Sequence, residues 1–344
     1  KGRGIQLAAL TVVAGAVAAV APDRVSPGVA AIVFVALALN VVASLELQVG
    51  LGLGRTAFWS ARFPLQNACL VLAVLVLYPV AGRTGALLGI AAAALAAAAL
   101  GAVVVAPVLS PPDRPVPLPA GAVRFGALHA GGAALNQFVQ RGAVLAVALL
   151  AGAGAGAETG YCAVALGIAL GITYAVLQAF TVALPHLSTA DRPVEAAEDV
   201  LRRFATRLLA VLTPIALLVA VVLPALVPAV FGSEYGDATA AFVPAIALVL
   251  VSPLTSFTVQ CSALRLRPEV PLVAGLVGVA VFVVVAVLAV PPLGAAGGTA
   301  AALGASLTAG SVSAALLATS VGVALPAATV GAVALVLAAG VAVQ

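Results

Sequence analysis

Methionine is absent from all 344 residues, lysine occurs once, as Lys1, and charged residues make up only 8% of the chain against 64% hydrophobic. A soluble domain carries about a quarter charged and half apolar residues. So little charge excludes a soluble multidomain enzyme, because no hydrated surface could be built from it, and points to an integral membrane protein. Nucleic acid is not favoured either: the net charge is +4, but the 15 basic residues stand singly or in pairs and never form a stripe. With Lys1 as the sole lysine there is no phosphate-loop lysine, and Gly50, Gly52 and Gly54 close an apolar helix without following a strand. Cys69, Cys162 and Cys261 sit in apolar runs and read as small core residues, not as a disulfide framework. No His, Cys and acid cluster has metal-ligand spacing. Neither an enzyme nor a cofactor is expected.

What is present is length in apolar sequence. Cutting at charges, prolines and glycines leaves eleven stretches, at 4–22, 29–51, 63–80, 84–108, 125–150, 159–186, 207–231, 238–262, 270–290, 295–318 and 326–343. Each approaches the ~20 helical residues that span a bilayer core. Abundant alanine and glycine suit close helix approach in lipid. The N-terminus and even-numbered loops hold Lys1, Arg3, Arg55, Arg62, Arg114, Arg124, Arg192, Arg202, Arg203, Arg207, Arg265 and Arg267, and the odd-numbered loops only Arg24 and Arg83. Twelve basic residues against two place the N-terminus in the cytoplasm and, with eleven spans, the C-terminus outside a plasma membrane.

Two segments break the apolar pattern. The proline-dense 109–122 reads as an extended, semi-rigid cytoplasmic connector. It divides a partial N-terminal lobe, 1–108, from a six-helix lobe, 123–320, with a further spanning helix at 326–344. Within 188–208, Val194, Ala197, Val200, Leu201, Phe204 and Leu208 fall at helical spacing opposite Glu195, Glu198, Asp199, Arg202 and Arg203. This predicts either an amphipathic surface helix at about 190–206 or a charged loop of helical propensity.

Polar and punctuating residues also repeat. Gln48 and Gln260, Arg55 and Arg267, Pro79 and Pro291, Gly82 and Gly294, and Gly85 and Gly297 are each 212 positions apart. The offset maps spans 2, 3 and 4 on spans 8, 9 and 10, an even number of spans, so the copies share one orientation about the membrane normal. Spans 5 and 6 then lack counterparts, which predicts a first lobe without its two N-terminal helices, in keeping with the missing initiator methionine.

Leu135-Asn136-Gln137-Phe138-Val139-Gln140-Arg141-Gly142, Glu158-Thr159-Gly160-Tyr161 and Val230-Phe231-Gly232-Ser233-Glu234-Tyr235 resemble the polysaccharide-biosynthesis flippases. These belong to the multidrug/oligosaccharidyl-lipid/polysaccharide exporter superfamily. The resemblance covers nearly the whole chain, most clearly 123–320. It implies an all-α integral membrane fold of about eleven helices in two MATE-like lobes, which rock about a central cavity. Where members often carry an aspartate after the Arg-Gly step, this chain has Ala143, so no role of that acid carries over.

Ionisable groups inside spans usually face protein or water. Arg141, 17 residues after Arg124, lies about 25 Å along its helix at ~1.5 Å per residue. His129, Asn136 and Gln140 make one polar stripe on that helix, with Gln137 and Arg141 on the next. Arg141 either lines a cavity for an anionic or sugar-rich substrate or pairs with Glu158. Tyr174, Gln178 and Thr181 share a face and either extend that wall or join helices. Asn40, Ser44 and Gln48 form a stripe on span 2, where Glu46 is an ion-coupling candidate or a locally paired carboxylate.

The expected function is translocation of lipid-linked oligosaccharides for cell-surface polysaccharide assembly. Expected partners are that substrate, membrane lipids, and a polysaccharide polymerase or glycosyltransferases. The rival readings are a multidrug/cation antiporter of the same superfamily and a scaffold that transports nothing.

Overall fold

The computed structural model describes residues 27–53, 56–105, 120–152, 155–187, 193–317 and 324–343. The expected span 4–22 and most of the proline-dense connector lie outside the described residues. No strand occurs among them. Lipid offers no partner to a backbone N–H or C=O, so an apolar chain that crosses it must satisfy these groups within helices.

Among the described residues eight α-helices form: α1 (Pro27–Gly52), α2 (Thr56–Val105), α3 (Ala122–Leu150), α4 (Ala155–Leu187), α5 (Val194–Phe231), α6 (Thr239–Leu264), α7 (Glu269–Leu316) and α8 (Ala324–Val343). All are long and apolar enough to cross a membrane. Large apolar side chains such as Leu72, Val80, Leu149, Val211, Leu218 and Leu288 point outward, more than half exposed. Water would penalise such a surface, whereas hydrocarbon accepts it. The protein is a multi-pass helical membrane protein.

Two of the eight helices are hairpins. A straight α7 of 48 residues would reach about 72 Å at ~1.5 Å per residue, more than twice a bilayer core. The chain instead reverses at Gly294, with φ 52° and ψ −124°, and α2 reverses at Gly82, with φ 54° and ψ −132°. Only glycine adopts these dihedrals without strain. Past each reversal the arms press together. A Cβ on Gly85 would strike the Leu77 carbonyl, and one on Gly89 would sit 2.8 Å from Val74 Cγ2. In α7 the same collision would join Gly297 to the Ala289 carbonyl, the position 212 residues on from Leu77. Each arm, 56–81, 83–105, 269–293 and 295–316, has twenty or more residues, enough to span on its own at ~1.5 Å per residue. The described residues therefore contain ten membrane-length rods.

The offset of 212 also governs element boundaries. Shifting α1, 27–52, by 212 gives 239–264, the bounds of α6, and shifting α2 gives those of α7 to within one residue.

The chain divides into two compact units, Lys1–Pro117 and Leu118–Gln344. In the first, α1 packs along α2. In the second, α6 is the central rod, buried over most of its length, with α4, α5, α7 and α8 around it. α3 runs in the same direction as the first arm of α7. Gly132 lies against Pro271, Gly275 against Leu135 and Gly142 against Phe282, so both numbers rise together. The amphipathic stretch expected at about 190–206 is not a separate surface helix: it continues without a break into span 7, and α5 is one helix from Val194 to Phe231. Burial of Ala197, Glu198, Leu201, Ala205 and Leu209 on a single face explains this, since that face docks on the bundle and leaves nothing to turn the chain along the membrane.

Candidate functional site

The second unit has two chemically different ends. At one end α4 and α6 finish, α5 and α7 begin, and α7 returns. Arg265 clasps Glu198, with Nη2 to Oε2 at 2.9 Å and Nε bonded to Oε1. Glu198 is buried, so this two-pronged pairing is what permits a carboxylate there. The bond to Glu198 pushes the Arg265 guanidinium still further into its charged range, against partial desolvation. Arg267 bonds Glu269 at 3.1 Å and donates to the Leu316 carbonyl at 3.1 Å, which satisfies an orphan acceptor at the end of α7.

The opposite end is aromatic and acidic. The Tyr161 hydroxyl at the start of α4 donates to the Glu234 carbonyl at 2.9 Å, in the 3-10 turn Ser233–Ala238 between α5 and α6. Tyr161, Tyr235, Phe231 and Phe242 form a chain of ring contacts with centroids 5.4 to 6.2 Å apart. Such clusters suit the membrane interface. Two sequence motifs remote from one another, at 158–161 and 230–235, thus meet. Glu158 reaches the α7 reversal, where its Oε2 accepts from the Ala295 N–H at 2.6 Å. Ala295 opens the second arm, so the carboxylate caps a helix N-terminus whose dipole favours negative charge. A Cβ on Gly294 would collide with that same Oε2. Gly294 is therefore required twice, by its dihedrals and by the space Glu158 occupies.

The polar residues anticipated inside the spans divide, within each unit, between helix-to-helix contacts and exposed positions. Arg141 and Asn136 are exposed on α3 of the second unit. Arg141 does not pair with Glu158, and it makes no ion pair or hydrogen bond with any described residue. Gln137 Oε1 accepts from the Tyr174 hydroxyl at 2.8 Å, which joins α3 to α4. Gln260 Nε2 donates to Thr181 Oγ1 at 3.3 Å, joining α6 to α4. Gln140 is buried, and its Oε1, like those of Gln178 and the hydroxyl of Thr173, finds no partner among the described residues. His129 is half-buried and stacks on Phe125, centroids 5.9 Å apart. In the first unit Asn40 Oδ1 accepts from Gln66 Nε2 at 3.0 Å, while Asn40 Nδ2 returns to the Ala36 carbonyl. Ser44 is exposed, and the Gln48 side chain lies outside the described residues.

Glu46 is buried together with Arg62, and the two attract each other electrostatically. The carboxylate lies against Gly101, where any Cβ would overlap it. This matches the locally paired alternative for Glu46 better than an open ion site.

Sequence reasoning did not find the roles of Glu158 and Glu198. Both acids sit at or beyond the edge of an apolar run, and their partners are 137 and 67 residues away, where Glu158 was expected at most to meet Arg141. No family model, curated protein or solved structure matches this chain.

Proposed function

We propose that the protein is a plasma-membrane transporter of the multidrug/oligosaccharidyl-lipid/polysaccharide exporter type, which flips lipid-linked oligosaccharides for cell-surface polysaccharide assembly. On this reading there are eleven spans in two MATE-like lobes, with the N-terminus cytoplasmic, the C-terminus outside, and partners drawn from the polymerase and glycosyltransferases of that assembly. The carrying observation is the internal repeat: two hairpins 212 residues apart that reverse at Gly82 and Gly294 with nearly the same dihedrals and the same glycine-to-carbonyl approach. Parallel repeats about an axis along the membrane normal recur in transporters that open alternately to the two sides. The arginine-rich end of the second unit and its aromatic-acidic end support a fixed orientation.

A second support is Arg141, a permanently charged group about two-thirds of the way along an apolar helix and without a described partner. Such a group is costly in hydrocarbon and suits a watery path. Its planar fork would grip the diphosphate of a lipid-linked sugar, with Asn136 presenting an amide to hydroxyls.

The test is reconstitution of the full chain in vesicles carrying a fluorescent lipid-diphosphate oligosaccharide, with an impermeant quencher reporting the exposed leaflet. Transfer between leaflets is expected, reduced in Arg141→Lys at equal insertion. Normal transfer by Arg141→Ala would remove Arg141 from the site. No glycan transfer, with uptake of cationic dyes against an ion gradient, would replace flipping by antiport.

A further inference from the structure

A groove of about 270 Å³ opens where the end of α4 meets the start of α5, lined by Ala183, Leu187, Val200, Leu201, Phe204 and the two arginines Arg203 and Arg207. It contains none of the mid-membrane residues discussed above. Its composition is divided: five apolar side chains form the walls, and one of them, Phe204, packs on the buried Phe180 ring with centroids 4.9 Å apart. Val200, Arg203, Phe204 and Arg207 follow one another at helical i, i+3, i+4, i+7 spacing, so apolar and cationic groups share one face of α5. Arg203 and Arg207 are exposed and make no ion pair with any described residue, whereas Arg202 on the adjacent face is occupied by Asp199 at 2.8 Å.

Position identifies the ligand. From Leu208 to Phe231 α5 has no charge, so Arg207 marks the level at which the helix enters hydrocarbon. The groove is smaller than the roughly 300–1,000 Å³ of small-molecule pockets, its lining is almost wholly apolar, and the only charged residues along it are the exposed Arg203 and Arg207. A ligand that fits has one anionic head at the membrane surface and a hydrocarbon tail beneath it. We propose that this groove binds an anionic phospholipid, with its phosphate held between Arg203 and Arg207 and an acyl chain lying on Leu187, Val200, Leu201 and Phe204. The groove shares no residue with the substrate contacts proposed above, so its lipid is tested independently of the transported substrate.

Native mass spectrometry of the full chain, released from detergent with phosphatidylglycerol or phosphatidylcholine, tests this directly. The wild-type chain should retain phosphatidylglycerol in preference to phosphatidylcholine. Arg203→Gln/Arg207→Gln should weaken retention roughly ten- to thirtyfold, as expected for the loss of two interfacial cations. Arg203→Lys/Arg207→Lys should keep most of it, and Val200→Trp, which fills the groove and leaves the charges, should lower it. Retention unchanged in the Gln double variant would overturn the proposal, as would an equal loss in Arg202→Gln. Displacement of the lipid by glycerol 3-phosphate at matched concentration would also overturn it, because a bare phosphate would then suffice.

Discussion

The hairpins 56–105 and 269–316 turn in the same way but are held differently. Both place proline three residues before the reversing glycine and a second glycine three residues after it. At Gly82 a Cβ would meet nothing within 4 Å and the next residue is the exposed Arg83, so no described side chain from another helix braces the turn itself. At Gly294 the Glu158 carboxylate fills the space and bonds the next N–H. The second arm of α7 is also largely buried, through Ala295, Gly297, Gly298, Ala301, Ala302 and Ala305. The comparison teaches that local sequence makes the turn, and that a neighbouring helix decides how much stability depends on it.

The sharpest way to break the comparison is to add one methyl group at each turn. Gly294→Ala combines an unfavourable positive φ with displacement of Glu158, and should cost about 3–5 kcal/mol. Gly82→Ala carries the dihedral strain alone and should cost about 1–3 kcal/mol. Thermal unfolding in detergent, followed by fluorescence-detected size exclusion, measures both, and equal shifts would show that Glu158 does not bear on the α7 turn.

Arg265→Ala asks whether the charged end matters as much as the turn. It strands the buried Glu198 and should cost about 3 kcal/mol. Glu198→Ala should cost less, because Arg265, 22% exposed, can turn to water. The reverse order in the same unfolding assay would mean that the arginine is the less solvated partner.

A smaller effect is expected from Glu158→Ala, about 1.5–3 kcal/mol, since a charge-assisted cap is lost. In a Gly294→Ala background the same change should cost almost nothing, and a double-mutant cycle reads that coupling. The smallest is Tyr174→Phe. It removes the bond to Gln137 and should cost about 0.6 kcal/mol, the mean for hydrogen bonds between membrane helices. A cost well above this would tie Gln137 and Tyr174 to the unmatched acceptors of Gln140 and Gln178.

Much of the fold was legible because membrane helices obey strong local rules. Ten of the anticipated stretches overlap described helices over most of their length, and Gly82 and Gly294, repeat positions in the expected breaks at 81–83 and 291–294, are the two reversals. The helical continuity of α5 was not legible. Its charged first third reads as a surface segment until Glu198 is seen buried under Arg265. The contacts of the anticipated polar face were not legible for a similar reason. Helical spacing placed Gln137 and Arg141 on one face, yet Gln137 turns to Tyr174 while Arg141 stays exposed, since a face is wide enough to serve two environments.

By itself the sequence determined that this chain lives in a membrane, roughly where most of its spanning rods lie, and that one pattern occurs twice. These follow from hydrocarbon's demand for internally bonded backbone and from the dihedrals only glycine takes freely. Tertiary structure alone decided which acid meets which partner: Glu158 with the Ala295 N–H, Glu198 with Arg265, Glu46 beside Arg62. Pairing depends on helix directions and rotations that bring distant positions within hydrogen-bond reach, and spacing along one helix carries no record of its neighbours.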